Sequence, residues 1–415
     1  MEKKFDKAYF TRDRIKLGTK GSFDPKYVDD NYLKTFGECG FDWVVVNPSN
    51  AYGDVRDRIM DFCDKNGIEV YLDDRKTYND KEALKEYEYH ECYTGSYLSD
   101  EPGSDYMPEL SKKTNAYLEE TGRHPHVNLL PMYANAAQLK YGADVAAIEY
   151  YDPDPDLYYK HVSTWAGLSK AKYMSVDIYP LNCNPDMKYA TYGNYIENIN
   201  IFGRVAREYN KEFVAYIQCY GWCRTKRDAD VDSLRFQVYS MLSFGCKGIV
   251  FWSYGAESSY TQWALVDHEG NPRPVYRDTK QVIGEIRKIS DVYCTYKNIG
   301  AFNVNYDPET CAYLRMTNPV EFPDIKIDAI DYFDKPSPLL VGCFEAKEGK
   351  GKAFTVVNMR ELITHLRAKV KFTVDEQYTK VTAYIKGEPT VLTPDENGEY
   401  MIPLECGEGA FVTIE

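Results

Sequence analysis

The sequence has little histidine, no long apolar run and no excess of basic charge. Only 6 of its 415 residues are histidine, and just one pair, His124 and His126, has a spacing typical of metal ligands. Lysine and arginine total 50 against 64 acidic residues, a formal net charge of −14. Such a surface repels nucleic acid and anionic membranes, and no apolar stretch reaches the length of a membrane span. We therefore expect no metal, no cofactor, no nucleic-acid partner and no membrane contact.

The cysteines are numerous but show no pattern of disulfides or metal ligands. There are 11, an odd number. The closest pair, Cys219 and Cys223, has no second pair to complete a zinc site. Thiols scattered through apolar stretches are typical of reduced core residues in a reducing compartment. Residues 1–6 turn polar at once and lack the pattern of a secretory signal. We expect a cytoplasmic location.

The composition is that of a globular protein large enough for two domains. Hydrophobic residues make up 44% of the chain and charged residues 27%, which excludes a disordered or fibrous chain. Tyrosine is unusually frequent, with 38 copies. Its flat apolar face and hydroxyl suit sugar rings, although a general bias towards tyrosine would give the same count.

Short apolar runs alternate with segments of helical spacing through the first 294 residues. This repetition predicts βα units that close into a (β/α)8 TIM barrel. The predicted strands lie at 14–18, 41–47, 68–74, 95–101, 126–132, 172–179, 212–219 and 248–254, the first of them being the weakest. The predicted helices lie at 28–39, 54–65, 105–121, 156–168, 192–209, 230–244 and 277–293.

From residue 295 onward the pattern changes to alternation with a period of two. Runs such as 352–357, 369–374, 380–385 and 409–414 are separated by glycine-containing turns, which predicts an antiparallel β-sandwich. We expect domains at 1–294 and 295–415, with 319–338 as a long surface loop. Carbohydrate binding, a homo-oligomer contact or covering one side of the barrel are all roles open to the second domain.

The ends of the predicted strands carry carboxylates, amides and aromatic rings. In TIM barrels the loops after the strands converge on the active site, and this set of side chains favours a neutral polyol as ligand. The candidates are Asn47, Asp73, Asp74, Asp100, Glu101, Asn128, Tyr133, Asp177, Tyr179, Gln218, Tyr220, Trp222, Trp252, Tyr254 and Glu257, with Glu149 in the segment after strand five. Capping, solvated loops and core packing are the alternatives for several of them.

The sharpest signal is Asp100 followed by Glu101 at the end of the fourth predicted strand. Two adjacent carboxylates repel each other, so retaining both calls for a strong partner or a function. The structural alternative is an acidic pair that caps the next helix. Their place at strand four favours catalysis.

Four stretches resemble barrel-type bacterial glycoside hydrolases akin to clan A. They are GSYLSDEPG at 95–103, VNLLPMY at 127–133, DIYP at 177–180 and GCKGIVFW at 245–252. The resemblance implies a Glu acid/base at the end of strand four, which Glu101 matches. It also implies a Glu nucleophile at the end of strand seven, where this chain has Gln218.

An Asp-Glu pair without a carboxylate on strand seven resembles the hexosaminidase families that use substrate assistance. That resemblance implies Glu101 as acid/base and Asp100 as the residue orienting a 2-acetamido group. Tyr179, Tyr220 or Tyr254 with Trp252 would then hold the acetamido group. These roles are implied by the resemblance alone.

Two alternatives remain open at the level of sequence. Glu101 and Asp177 would form a two-carboxylate site, with a separation of about 6.5–9.5 Å for inversion or about 5–5.5 Å for retention. The other is a barrel that binds carbohydrate without hydrolysing it, with Gln218 marking a lost nucleophile.

Overall fold

The first part of the chain is a closed barrel of parallel strands in sequential order. The computed structural model describes residues 13–21, 23–47, 53–73, 82, 85, 87–145, 154–182, 194–221, 226–255 and 264–415. The barrel strands are β1 (Lys16–Gly21), β2 (Trp43–Val46), β3 (Glu69–Leu72), β4 (Tyr93–Asp100), β5 (His126–Leu129), β6 (Tyr173–Ile178), β7 (Glu212–Gln218) and β8 (Cys246–Trp252). Pairing of β1 with β8 closes the barrel.

Helices follow most of the strands, and several of them begin at a side-chain cap. They are α1 (Asp30–Cys39), α2 (Gly53–Asn66), α3 (Met107–Thr121), α4 (Ala136–Tyr141), α5 (Pro155–Leu168), α6 (Tyr195–Glu208), α7 (Val231–Leu242) and α8 (Pro274–Cys294). The carboxylate of Asp29 accepts from the backbone N–H of Tyr32, and that of Asp230 accepts from Ser233. Both bonds satisfy amide groups that a helix start leaves without a partner.

Aromatic side chains fill the inside of the barrel. His126 lies among Trp43, Tyr71, Tyr97, Tyr173 and Tyr216. Its two ring nitrogens lie 3.1 Å from the Tyr173 hydroxyl and 3.0 Å from the Tyr216 hydroxyl. Burial lowers the pKa of His126 to about 3, so the ring is neutral and acts as a hydrogen-bonded core group.

Two antiparallel sheets form the C-terminal part. Their strands are β9 (Tyr296–Val304), β10 (Ile325–Asp331), β11 (Leu339–Ala346), β12 (Lys352–Asn358), β13 (Ala368–Val374), β14 (Val381–Ile385), β15 (Glu388–Val391), β16 (Tyr400–Leu404) and β17 (Gly409–Ile414). One sheet has the order β10-β13-β16 and the other β15-β14-β17-β12-β11-β9. A single buried cluster joins apolar residues of both, such as Phe354 and Phe372.

Polar contacts fasten these sheets to the barrel helices. The Ser243 hydroxyl after α7 lies 2.7 Å from that of Thr355 in β12. Glu197 in α6 accepts from the backbone N–H of Thr317 at 2.6 Å. Helix α8 ends at Cys294 and β9 begins at Tyr296. The division into domains at residue 295 stays a prediction.

The expected barrel and antiparallel sheets are confirmed, including the weak first strand, which begins two residues later than predicted. The segment 319–338 is corrected: it contains β10, paired along its length with β13. Its prolines and aspartates lie mostly in the turns beside the strand, which is why the composition suggested a loop. No helix in the described ranges is both long and apolar enough to cross a membrane.

Gly18 in β1 makes room for the Trp43 indole, and this predicts a stability effect. A Cβ at residue 18 would lie 2.3 Å from the indole ring. We expect Gly18→Ala to lower the free energy of unfolding by about 1–3 kcal/mol through overpacking, measured by urea denaturation.

Gly284→Ala is the matched control for this substitution. Residue 284 lies inside α8 with no atom within 4 Å of an added Cβ. There alanine should stabilise by roughly 0.5–1 kcal/mol. Equal effects of the two substitutions would contradict the packing argument.

Candidate active site

Strands β4, β5 and β6 bring three carboxyl groups together at the C-terminal mouth of the barrel. Asp100 is the last residue of β4 and Glu101 follows it, while Asp177 lies near the end of β6. Asn128 of β5 lies between them, paired with Asp100 on one side and with Ser175 on the other. Since parallel strands end at the same rim, their last side chains share one space.

The side-chain amide of Asn128 connects two of the carboxyl groups. Its Nδ2 lies 2.9 Å from Asp177 Oδ1 and 3.4 Å from Asp100 Oδ1. Its Oδ1 accepts from the Ser175 hydroxyl at 2.9 Å. This last bond directs the NH₂ group at the acids, so one amide sets the positions of both.

Asp100 receives a second hydrogen bond from inside the barrel. The Tyr97 hydroxyl donates to Asp100 Oδ1 at 2.5 Å. The residue is otherwise exposed to solvent. Two donors on one oxygen fix the carboxyl group while its other oxygen stays available to a ligand.

Glu101 has an unusual backbone conformation that the structure holds from both sides. Its φ is 46°, in the left-handed region that costs a residue with a side chain on the order of 1–3 kcal/mol. Its N–H donates to the Asn128 carbonyl at 2.8 Å, and its own carbonyl accepts from Ala143 N–H at 3.3 Å. The strained residue is thus the one that the sequence predicts to be catalytic.

Burial first, and then Asp177 and Asp100, raise the pKa of Glu101 well above that of a free glutamate. Burial and Asp100 also raise the pKa of Asp177, against the hydrogen bond from Asn128. Crowded acids in a desolvated site cannot all ionise. Burial and the neighbouring acids therefore favour the protonated form of Glu101, which is the form that can give a proton.

A lysine also acts on this acidic cluster. Lys20, near the end of β1, lowers the pKa values of both Glu101 and Asp177. Its ammonium lies 5.4 Å from the centre of the Tyr97 ring. It partly offsets the mutual repulsion of the acids.

An aromatic wall lies at the same mouth of the barrel as the acids. The Trp252 ring, at the end of β8, lies 5.1 Å from the Tyr179 ring and 5.0 Å from the Tyr220 ring. Trp252 is partly exposed. Tyr133 is 36% exposed and close enough to Tyr179 to raise its pKa. Flat faces of this kind suit the C–H faces of a sugar ring.

Two of the predicted substrate contacts, Gln218 and Tyr254, are buried away from solvent. Gln218 is fully buried. Its Oε1 accepts from Leu181 N–H at 2.9 Å, and its Nε2 donates to the Arg227 and Leu181 carbonyls at 2.9 and 3.1 Å. Tyr254 is also buried, packed on rings such as Phe36 at 5.0 Å. The first side chain joins loops and the second belongs to the core outside the barrel.

Two other predicted contacts, Tyr220 and Asn47, differ in their exposure to solvent. Tyr220 is fully buried and its ring stacks on that of Trp252, so it supports the Trp252 ring. Asn47 directly follows β2 and is partly exposed at the rim. Asp74, Glu149, Trp222 and Glu257 lie outside the described residues.

Sequence reasoning missed Lys20, Tyr97 and Ser175. Lys20 lies near the end of β1, and strand ends were the signal for the other candidates. The weak apolar pattern of the first strand, however, predicted its end at residue 18. Tyr97 and Ser175 lie inside strands, and their polar groups reach the site only because alternate residues face the barrel interior.

One group of described residues has the composition of a metal site. Asp64, His90 and Cys92 place one potential ligand atom each within 4.8 Å of one another. His90 Nδ1 is 2.8 Å from Asp64 Oδ2, and Cys92 N–H donates to Asp64 Oδ1 at 2.6 Å. Burial raises the pKa of the Cys92 thiol, which opposes the thiolate that a metal needs. These bonds join the loop before β4 to α2.

Neither a protein-family model nor a curated protein matches the sequence. Solved structures match in fold. A candidate alpha-galactosidase of Bacteroides fragilis NCTC 9343 has a TM-score of 0.51 at 8% identity, over 97% of this chain and 79% of that chain. The alpha-galactosidase of Saccharomyces cerevisiae with raffinose has 0.45 at 7%, over 97% of both chains. The GH30 endoxylanase from Clostridium papyrosolvens C71 has 0.39 at 10%, over 98% and 97%.

These neighbours carry the names of glycoside hydrolases, and at such identities the likeness shows the fold alone. The match to the Bacteroides fragilis structure agrees with the barrel and C-terminal sheets described above. The case for an activity therefore depends on the chemistry of the mouth.

The raised pKa of Glu101 predicts a pH-dependent stability difference. The unfolded chain loses this proton near pH ~4.3, whereas the folded protein keeps it to about pH 9. Folding therefore takes up a proton between these values, and stability falls as the pH rises through them. We expect Glu101→Gln to gain stability relative to the natural protein across this window and to differ little below it.

Urea denaturation at several pH values would measure the difference. Asp105→Asn, at an exposed carboxyl group before α3, is the matched control and should give a flat profile. A Glu101→Gln difference that does not change with pH would contradict the raised pKa.

Proposed function

We propose that this chain is a glycoside hydrolase that cleaves an O-glycosidic bond with Glu101 as general acid/base. The observation that carries the proposal is the position of the Glu101 carboxyl group at the barrel mouth, beside two further carboxyl groups that raise its pKa. Glycoside hydrolysis needs a proton for the leaving oxygen and a negative charge near the anomeric carbon. The aromatic wall at the same mouth supplies a surface for the sugar.

Asp100 is the first candidate for the second role. Tyr97 and Asn128 hold one of its oxygens, and the residue is open to solvent. In a substrate-assisted reaction it would orient a 2-acetamido group, whose carbonyl oxygen attacks the anomeric carbon while Glu101 protonates the departing oxygen. The absence of a carboxylate at Gln218 is consistent with this route.

Asp177 is the second candidate, favoured by its own hydrogen bond to the shared amide. Here Asp177 and Glu101 would form a two-carboxylate site acting on a sugar without an acetamido group. Burial and Asp100 raise the pKa of Asp177, which opposes the negative charge that this role needs. We therefore place the substrate-assisted route first.

The effect on kcat/KM of removing the Glu101 carboxyl group should depend on the leaving group of the substrate. We expect Glu101→Gln to lower kcat/KM about 10²–10⁴-fold on alkyl glycosides and natural linkages, which need protonation. Aryl glycosides with acidic phenols should lose much less, because they leave without a proton. The measurement is steady-state kinetics over a series of leaving groups.

Asp105→Asn is again the matched control and should leave kcat/KM unchanged. A uniform loss across all leaving groups would contradict the role of Glu101 as the acid. Binding of sugars by the natural protein with no hydrolysis of any glycoside would favour a carbohydrate-binding barrel instead.

A second experiment separates the two partner carboxylates. In the substrate-assisted route, Asp100→Asn should lower kcat on 2-acetamido glycosides by at least about 10²-fold, and an N-acetyl-thiazoline sugar should inhibit strongly. In the two-carboxylate route, Asp177→Asn should have the larger effect and the thiazoline none. Activity on sugars without the acetamido group, insensitive to Asp100→Asn, would exclude the first route.

A further inference from the structure

A cavity of about 330 Å³ lies at the N-terminal end of the barrel, opposite the carboxyl cluster. Its lining includes residues at the starts of β6, β7 and β8 and residues of β9 and β11. Aromatic side chains form its apolar lining, namely Phe213, Phe244, Tyr293, Tyr296 and Phe344. This volume is at the lower end of small-molecule sites, which span about 300–1,000 Å³.

The charged residues around the cavity are almost all basic. Six of them are cations: Lys172, Arg207, Lys211, Lys247, Lys297 and Lys347. The one acid in the lining, Glu212, forms an ion pair with Lys247 at 3.0 Å. This local excess of positive charge is opposite in sign to the net charge of the chain, which is −14.

Arg207 is held in place without a carboxylate. Its Nη1 donates to Asn298 Oδ1 at 2.7 Å. The amide nitrogen of this buried asparagine is fixed in turn by three backbone carbonyls at 3.0–3.2 Å. Among the described residues no acid forms an ion pair with Arg207, and the one hydrogen bond to Asn298 uses one of its five donors.

Lys211 also forms its described hydrogen bonds without a carboxylate. Its ammonium donates to the carbonyls of Ser169 and Ala171 at 2.7 and 2.5 Å, both neutral acceptors. Burial, and then Lys172, lower its pKa to about 8, and burial lowers the pKa of Arg207 to about 10. Glu208 opposes the pKa shift at Arg207 without forming an ion pair with it. Two partly desolvated cations whose described hydrogen-bond acceptors are all neutral are stabilised by an anion.

We propose that this cavity binds a phosphorylated small molecule of about the size of a sugar phosphate. Cations from several separate elements converge on it, which suits a dianion with three free oxygens better than a single carboxylate. The aromatic lining would take the organic part. The site lies apart from Glu101, and the proposal does not depend on the glycosidase assignment.

Isothermal titration with inorganic phosphate, glucose 6-phosphate, glucose and citrate tests the proposal. We expect the phosphate ester to bind more tightly than phosphate, and glucose not to bind. Arg207→Gln and Lys211→Gln should each weaken the ester by about 10-fold, or 1.4 kcal/mol. Lys170→Gln is the matched control, because Lys170 is an exposed lysine paired with Glu119 outside the cavity.

Thermal unfolding without ligand would show whether each variant is folded. If Arg207→Gln is not, Lys211→Gln and Arg207→Lys carry the test. Equal binding of glucose and its phosphate, preference for citrate, or affinity unchanged in all cavity variants would overturn the proposal. Glu101→Gln should bind the ester normally, so that loss of hydrolysis and loss of phosphate binding are separate results.

Discussion

The hydrogen bonds of the Asn128 side chain are the constraint on which the candidate site depends. One NH₂ group reaches two carboxyl groups, and its orientation is fixed by the Ser175 hydroxyl on the neighbouring strand. The carbonyl of the same residue accepts from Glu101 N–H. A single asparagine thus forms hydrogen bonds to all three acidic residues. Its side-chain amide donates to both Asp100 and Asp177, and this allows their carboxyl groups to lie close together.

The sequence predicted the barrel well because its signals are local and repeated. Each βα unit carries its own apolar run, and several carry a side-chain cap such as Asp230, so errors in one unit do not affect the others. The carboxyl cluster was predictable for the same reason: Asp100, Glu101 and Asp177 all stand where strands end. Strand β10 was missed because prolines and aspartates on both sides mask a short strand.

The residues that complete the site were not predictable in this way. Gln218 stands at a strand end like the acids, yet its amide is taken up by loop carbonyls that fold back over it. Tyr254 follows β8, but the chain has turned outward there and its ring packs on Phe36. Tyr97 and Lys20 contribute through contacts between distant strands. Such contacts depend on register and barrel closure, which no local pattern encodes.

The backbone at residue 101 has a consequence for how this chain can evolve. A left-handed φ is adopted most easily by glycine or asparagine, so selection for stability alone would replace the glutamate. Selection for proton transfer would retain it. Position 101 is therefore one where stability and activity ask for different residues, and a lineage that no longer needed the chemistry would be free to relax there.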